Sequence, residues 1–337
     1  MTLKNKKNNY LKEKQERDIA LVEITPGFQC NNNCLFCSIN PDSRFKNKST
    51  EQVKKDILDA KKVGAEVLGF TGGEPTIRED IFELVSFAKK QGFRTIRIQT
   101  NGRMFSYKEF TKKIIDSGAN YFKFSIHGHR PEIHDYLTQV PGSFDQAIQG
   151  IKNIKELGRI VEVNILINKV NYKFLPQLVK FLIDLGISRF VLIFCNYFGN
   201  AYKNKEIVAV SYTNAVPYIK DALDIIEDYN LDKAVLMFVP ICFMTGYEKF
   251  VTSDLSPFKT EVKGPDFDVN LDEKFVDEKR KLPQCNKCIY GLICSGVRID
   301  YLNIFGSDEI HPVLGKKIKS LNEIVNYPNR EGKSMIT

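Results

Sequence analysis

At 337 residues and 43% hydrophobic content, this chain carries enough apolar material for one large core, or for a large domain with a smaller companion. No apolar run approaches the roughly 20 residues that cross a bilayer, and Met1 to Arg17 is Lys/Asn-rich without an apolar signal centre, so a soluble cytoplasmic protein is expected. The net charge is +8, and residues 1–17 hold six basic and two acidic groups, which read as a solvated basic extension; no RNP-like or helix-turn-helix pattern supports nucleic acid as a partner.

From residue 20 to 195 strand-like and helix-like stretches alternate. The strands are Leu21 to Thr25, Glu66 to Thr71, Thr95 to Thr100, Tyr121 to Ile126, Val161 to Ile167 and Arg189 to Phe194. The helices between them are Thr50 to Val63, Asp80 to Gln91, Tyr107 to Ser117, Ser143 to Leu157 and Phe174 to Leu185. Gly64, Gly92, Gly118, Gly158 and Gly186 follow these helices at the place of a left-handed cap. Repeated β-α units imply a parallel sheet, whose reactive groups gather at the carboxyl ends of the strands. Residues 200–235 read as a linker and one helix, Tyr212 to Tyr229. Residues 254–283, charged and interrupted by Pro257, Pro265 and Pro283, read as a loop or lid.

Eight cysteines would suggest disulfides in a short secreted chain, but six of these fall into one triplet near residue 30 and another near residue 290, which favours metal in a reducing compartment. Cys30, Cys34 and Cys37 follow the first strand at C-x3-C-x2-C spacing. Three soft thiolates on one tight loop can hold three irons of a 4Fe-4S cluster and leave the fourth open to a small molecule. The bland alternative, a zinc knuckle, usually draws on two ligand pairs.

That spacing, together with Thr71-Gly-Gly-Glu-Pro-Thr76, Gln99-Thr-Asn-Gly102 and Ser125-Ile-His-Gly128 at three later strand ends, resembles the radical S-adenosylmethionine (SAM) enzymes. The resemblance implies an α/β fold with a partial (β/α)6 TIM-like barrel over 20–235. It implies that the open iron chelates the methionine part of SAM and that the reduced cluster cleaves the sulfonium to a 5'-deoxyadenosyl radical. By the same resemblance the turn Gly72, Gly73, Glu74 and Pro75 offers main-chain groups to the SAM amino group, with Glu74 helping to fix the loop, and Thr100 and Asn101 form a polar strand end. Ser125 is placed at the SAM carboxylate or ribose, Asn164 at the ribose and Phe36 on the adenine. Each has a structural alternative as a turn-former or core residue. His127 stands where many relatives have Asp, and is either a catalytic group or a hydrogen-bonded bystander.

Cys285, Cys288 and Cys294, at C-x2-C-x5-C spacing, are preceded by Cys242; four thiolates suffice for a fully ligated 4Fe-4S cluster or for one zinc ion. The set resembles the auxiliary-cluster region of SPASM and twitch radical SAM enzymes, and implies a small twitch-like domain over 236–312, with 313–337 left as a basic polar tail and 1–19 as the amino-terminal extension. Cys195, ending the sixth strand, is either a buried apolar residue or a thiol that returns hydrogen to a substrate radical; Cys242 can serve that role only if it is not a cluster ligand. The resemblance implies hydrogen abstraction from a ribosomally made peptide, giving a crosslink, thioether or epimer, or alternatively from a sugar, nucleotide or cofactor precursor, with a flavodoxin- or ferredoxin-type electron donor. A non-enzymatic iron-sulfur or zinc binding protein is the third reading.

Overall fold

In the computed structural model, which describes residues 19–231, 233–251, 259–320 and 322–325, strands and helices alternate from the first strand onward. They run β1 (Ile19–Ile24), α1 (Thr50–Lys62), β2 (Val67–Phe70), α2 (Ile81–Lys90), β3 (Thr95–Thr100), α3 (Lys108–Ser117), β4 (Tyr121–Ser125), α4 (Pro131–Thr138), α5 (Ser143–Glu156), β5 (Ile160–Ile167), α6 (Leu175–Asp184) and β6 (Arg189–Phe194). Every strand and helix expected in this stretch is present, with ends displaced by at most two residues. Most of the expected extension over 1–19, and the tail beyond 325, lie outside the described residues.

β1 to β6 pair in parallel and in chain order. After β6 come two short helices, α7 (Gly199–Lys203) and α8 (Lys205–Val208), then α9 (Tyr212–Asp228) and β7 (Lys233–Met237), which adds in parallel beside β6. β7 crosses the boundary expected at residue 235. The expectation of a loop or lid over 254–283 is corrected from Lys259 onward, 254–258 lying outside the described residues. β8 (Lys259–Lys263) pairs in parallel with β1, β9 (Asp268–Asn270) pairs antiparallel with β8, and α10 (Leu271–Asp277) follows. Hydrogen bonding to β1, rather than local apolar alternation, makes a strand of the charged run Lys-Thr-Glu-Val-Lys. The resulting nine-stranded sheet has β7 at one edge and β9 at the other, so the barrel is open, a partial TIM barrel.

Alternation with period two divides the strand faces. Ile96 and Ile98 of β3 and Phe122 and Phe124 of β4 are fully or nearly fully buried, and both phenylalanines meet Phe105 at ring separations of 5.4 and 5.3 Å. The opposite face of the strands carries Tyr121, Lys123 and Glu162. The Glu162 carboxylate, 1% exposed, meets Lys123 Nζ at 3.0 Å, Lys233 Nζ at 2.9 Å and Tyr121 Oη at 2.8 Å. Burial alone would raise its carboxyl, but the two ammonium groups outweigh burial and hold it below the usual range. Burial pushes Lys123 down to about 8.

The remaining chain forms β10 (Lys279–Arg280), antiparallel to β11 (Val297–Arg298), and α11 (Ile299–Phe305). α11 joins the barrel through aromatic contact: Tyr301 stacks on Tyr212 at 3.9 Å, and its hydroxyl accepts the Tyr212 N–H at 2.8 Å.

Candidate functional site

The loop after β1 takes its shape from backbone bonds. Asn33 N–H donates to Thr138 O at 3.0 Å and Leu35 N–H to Leu137 O at 2.9 Å, which ties the loop to the end of α4. Cys37 N–H donates to Cys34 O at 3.2 Å and closes a turn between these two thiols. Two guanidinium groups hold the other half: Arg44 Nη1 donates to Asn32 O at 3.1 Å, and Arg103 Nη1 donates to Asn31 O and, at 3.1 Å, to Asn32 Oδ1. Asn32 N–H points at Cys30 Sγ from 3.4 Å. Burial pushes the Cys30 thiol up to about 11 and Cys34 higher still, with neighbouring thiols adding to the rise. Losing these protons therefore requires a compensating positive charge on the loop, which is what a bound metal supplies.

The three thiols open onto a cavity of about 210 Å³, also lined by Phe36, Gly72, Gly73, Thr100, Asn101, Ser125 and His127. The two glycines serve the thiol loop directly. A Cβ on Gly72 would stand 2.5 Å from Gly27 O, and one on Gly73 would stand 2.1 Å from Gln29 O, so only a residue without a side chain lets β2's end lie against this loop. Gly73 N–H and Glu74 N–H donate to the Gly27 and Gln29 carbonyls at 3.0 and 2.8 Å.

Glu74 and Pro75 are buried and do not line the cavity. One Glu74 oxygen accepts from Thr76 N–H, Thr76 Oγ1 and Thr100 Oγ1 at 3.1, 2.6 and 2.9 Å, and the other from Asn101 N–H at 2.6 Å. Burial pushes its carboxyl above the usual range against the pull of these donors. Glu74 thus locks the glycine turn to the end of β3. Asn164 is also buried and off the cavity wall; it pairs in register with Ser125, and its Oδ1 has no protein partner.

His127 is 4% exposed, with its ring edge against Phe36 at 4.5 Å. Its Nδ1 accepts the Leu166 N–H at 3.1 Å, and its own N–H donates to His134 Nδ1 at 3.2 Å. Burial, with His134 adding, drives the His127 imidazole well below its ordinary value. The ring is therefore neutral with Nδ1 engaged, so it offers the cavity an Nε2 hydrogen rather than a base. Cys195 is 1% exposed, its thiol directed at Asn196 O from 3.7 Å, and it does not line the cavity. Asn196 does, with a buried Oδ1 that has no protein partner. Sequence reasoning passed over Asn196, although its place just past a parallel strand's carboxyl end was a usable signal. Arg44 and Arg103 carried no local signal at all.

Cys242, Cys285, Cys288 and Cys294 line a second, smaller cavity with Pro240, Ile241, Tyr290, Val297 and Ile310. Burial raises the Cys242 thiol, and Cys294, Cys288 and Cys285 raise it further, in that order. Gly296 N–H points at Cys294 Sγ from 3.3 Å. Among the described residues, no three His, Cys, Asp or Glu side chains are grouped so as to hold a single metal ion. Thiolates in sets of three and four are the soft donors that iron-sulfur clusters and zinc take, and the orphan Oδ1 of Asn196, on the first cavity's lining, suits a polar ligand there.

Residues 24–182 match the family model described as the Radical SAM superfamily. This stretch, just under half of the chain, carries the radical SAM likeness. The chain is 35% identical over 210 residues to the Fe-coproporphyrin III synthase of Methanosarcina barkeri, covering 61% of this chain and 51% of that protein. It is 30% identical over 182 residues to a probable GTP 3',8-cyclase of Saccharolobus islandicus, covering 52% of this chain and 57% of that protein. It thus spans about half the length of these curated relatives. Its fold resembles Streptococcus suis SuiB bound to precursor peptide SuiA (TM-score 0.65, 17% identity, 91% of this chain and 78% of that one). It also resembles anSMEcpe with bound AdoMet (TM-score 0.61, 14% identity, 87% and 92%).

Proposed function

We propose that Cys30, Cys34 and Cys37 hold a 4Fe-4S cluster and that SAM occupies the adjoining cavity, contacted by Phe36, the Gly72-Gly73 turn, Thr100, Asn101 and Ser125; Asn164, off this wall, supports Ser125 from the next strand. The observation that carries this reading is the meeting of three thiols with the glycine turn and two polar strand ends around one cavity. A reduced cluster supplies the electron that cleaves SAM to methionine and a 5'-deoxyadenosyl radical, which takes hydrogen from a substrate carbon. The residues' own part is to orient: Glu74 holds the turn, the loop carbonyls tie to α4 and the arginines, and His127 offers a neutral N–H.

Cys242, Cys285, Cys288 and Cys294 would hold a second 4Fe-4S cluster in a twitch-like module over 236–312, and such a cluster would supply an electron acceptor in place of hydrogen return by Cys195 or Cys242. Cys195 lies off the cavity and Cys242 sits with the other auxiliary thiols, which supports that choice. A flavodoxin- or ferredoxin-type protein supplies reducing electrons in the cytoplasm.

A small-molecule substrate is favoured over the peptide that the auxiliary-type resemblance first implied, because the curated relatives are named for a coproporphyrin and for GTP. The peptide reading rests on the fold likeness to SuiB. Anaerobic reconstitution is expected to give about eight irons per chain and dithionite-dependent 5'-deoxyadenosine, stimulated by a small molecule such as GTP more than by a peptide. No deoxyadenosine from the iron-loaded protein overturns the assignment. Solvent deuterium at the reacting carbon, lost on replacing Cys195 or Cys242, would make the enzyme a hydrogen-returning catalyst instead.

A further inference from the structure

We propose that residues Tyr197 to Asn204, the segment joining β6 to α8, form a brace through which the auxiliary thiol site positions the three-thiol loop. The inference deepens the reading above and rests on it only for the identity of what the loops bind.

At one end the brace grips the first loop by its carbonyls. Asn200 Nδ2 donates to Cys34 O at 2.7 Å, Asn204 Nδ2 to Leu35 O at 3.1 Å and Ala201 N–H to Cys37 O at 3.0 Å. Gly199, at φ 53°, lies so close that a Cβ would be 2.5 Å from Ser38 O. Two of the three thiol-bearing residues, and Leu35 in the turn between them, are thus held from the same eight-residue stretch.

At its other end the brace is gripped in turn. Tyr197 N–H donates to Asp300 Oδ2 at 2.7 Å, and Arg298 Nε donates to Asp300 Oδ1 at 2.8 Å. Arg298 is 2% exposed, pairs through Nη1 with Glu278 at 3.2 Å, and has its guanidinium carbon 5.5 Å from the Phe198 ring and 4.9 Å from the Phe238 ring. It stands four residues after Cys294, and β11, which carries it, pairs with β10 just before Cys285. Arg298 Nη2 is buried without a hydrogen-bond partner among the described residues, but Nε and Nη1 are fixed by Asp300 and Glu278, so a displacement of Cys294 moves Asp300 and with it Tyr197. Asn196, next to the gripped N–H, lines the first cavity. Asp300, Arg298, Asn200 and Asn204 are therefore positioning residues, acting on the first site through backbone rather than touching its ligands.

The test is hydrogen exchange of the peptide covering residues 33–38, read in the metal-free protein and again after anaerobic reconstitution, with SAM affinity of the reconstituted protein measured by calorimetry. Asp300→Asn keeps the side chain's shape and is expected to speed exchange at 33–38 and weaken SAM binding by about tenfold, the worth of one charge-assisted hydrogen bond, while exchange in β3 stays unchanged. Asn200→Ala cuts the brace at its other end and should reproduce the exchange effect. The triple variant Cys285→Ala, Cys288→Ala and Cys294→Ala should act likewise on the reconstituted protein, and combining it with Asn200→Ala should add nothing further. Unchanged exchange in Asp300→Asn, or additive effects in the combined variant, overturns the brace. Because the metal-free arm needs no cluster, coupling there in a protein that loads no 4Fe-4S cluster would refute the proposed function and leave the brace standing.

Discussion

The two thiol sites use the same ligand atom and differ in everything around it. The first is a loop of Asn, Gly and Arg contacts around three thiols, opening onto a cavity of about 210 Å³ whose walls carry polar strand ends. The second sets four thiols in a far smaller cavity walled mostly by Pro240, Ile241, Tyr290, Val297 and Ile310. A metal centre that does chemistry keeps room for a ligand, and one that stores charge or shape is closed by protein. The pair of sites therefore differs in room and in walls: a larger cavity with polar strand ends at one, a far smaller one with four thiols and apolar cover at the other.

That contrast breaks most completely at the first loop. Cys30→Ala, Cys34→Ala and Cys37→Ala together should remove about half of the iron, leaving about four per chain, and abolish 5'-deoxyadenosine formation, checked by iron assay and chromatography. Deoxyadenosine made by this variant would remove the first site's claim to the chemistry. Next in size is the reverse experiment. Cys242→Ala with Cys285→Ala should also leave about four irons, yet still permit slow SAM cleavage uncoupled from product. Loss of one zinc ion instead of iron would identify the second site as structural.

A smaller effect sharpens the role of the locked turn. Glu74→Gln replaces a carboxylate that accepts four hydrogen bonds, and is expected to cost about 2 kcal/mol in denaturant unfolding and to weaken SAM binding without changing auxiliary iron. Narrowest in its conditions is a pH dependence of the first site's support, seen only in acid. His134 is buried and its imidazole is pushed down from 6.5 to about 4. Between those values the unfolded chain binds the proton and the native one does not, so stability should fall as pH drops from 6.5 toward 4, by on the order of 3 kcal/mol. His134→Asn, which keeps an acceptor for the His127 N–H, should flatten that limb in thermal melts; an unaltered slope would place the acid sensitivity elsewhere.

Much of the barrel was readable because its signals are local. Period-two burial marks β3 and β4, helical periodicity marks α1 to α6, and Gly64, Gly92, Gly118, Gly158 and Gly186 all take positive φ after their helices. The thiol spacings and the glycine turn were legible for the same reason, since a tight loop must place its ligands within a few residues. β8 was not, because its one clearly apolar residue, Val262, sits among lysines and a glutamate, and its strand state comes from bonds to β1 more than 230 residues earlier. Nor could the sequence tell that Glu74 faces Thr100 and Asn101 instead of the cavity, or that His127 spends its Nδ1 on Leu166.

By itself the sequence determined the order of the β-α units and the spacing of two thiol sets, since residue type and short-range spacing are properties of a few consecutive positions. Only the tertiary structure decided that Cys242 joins Cys285, Cys288 and Cys294, that Cys195 stays off the first cavity, and that Asp300 and Asn200 stand at the two ends of one brace. Those relations span from about 40 to about 170 positions, and only the closing of strands and loops around a shared core brings such distant groups within hydrogen-bonding reach.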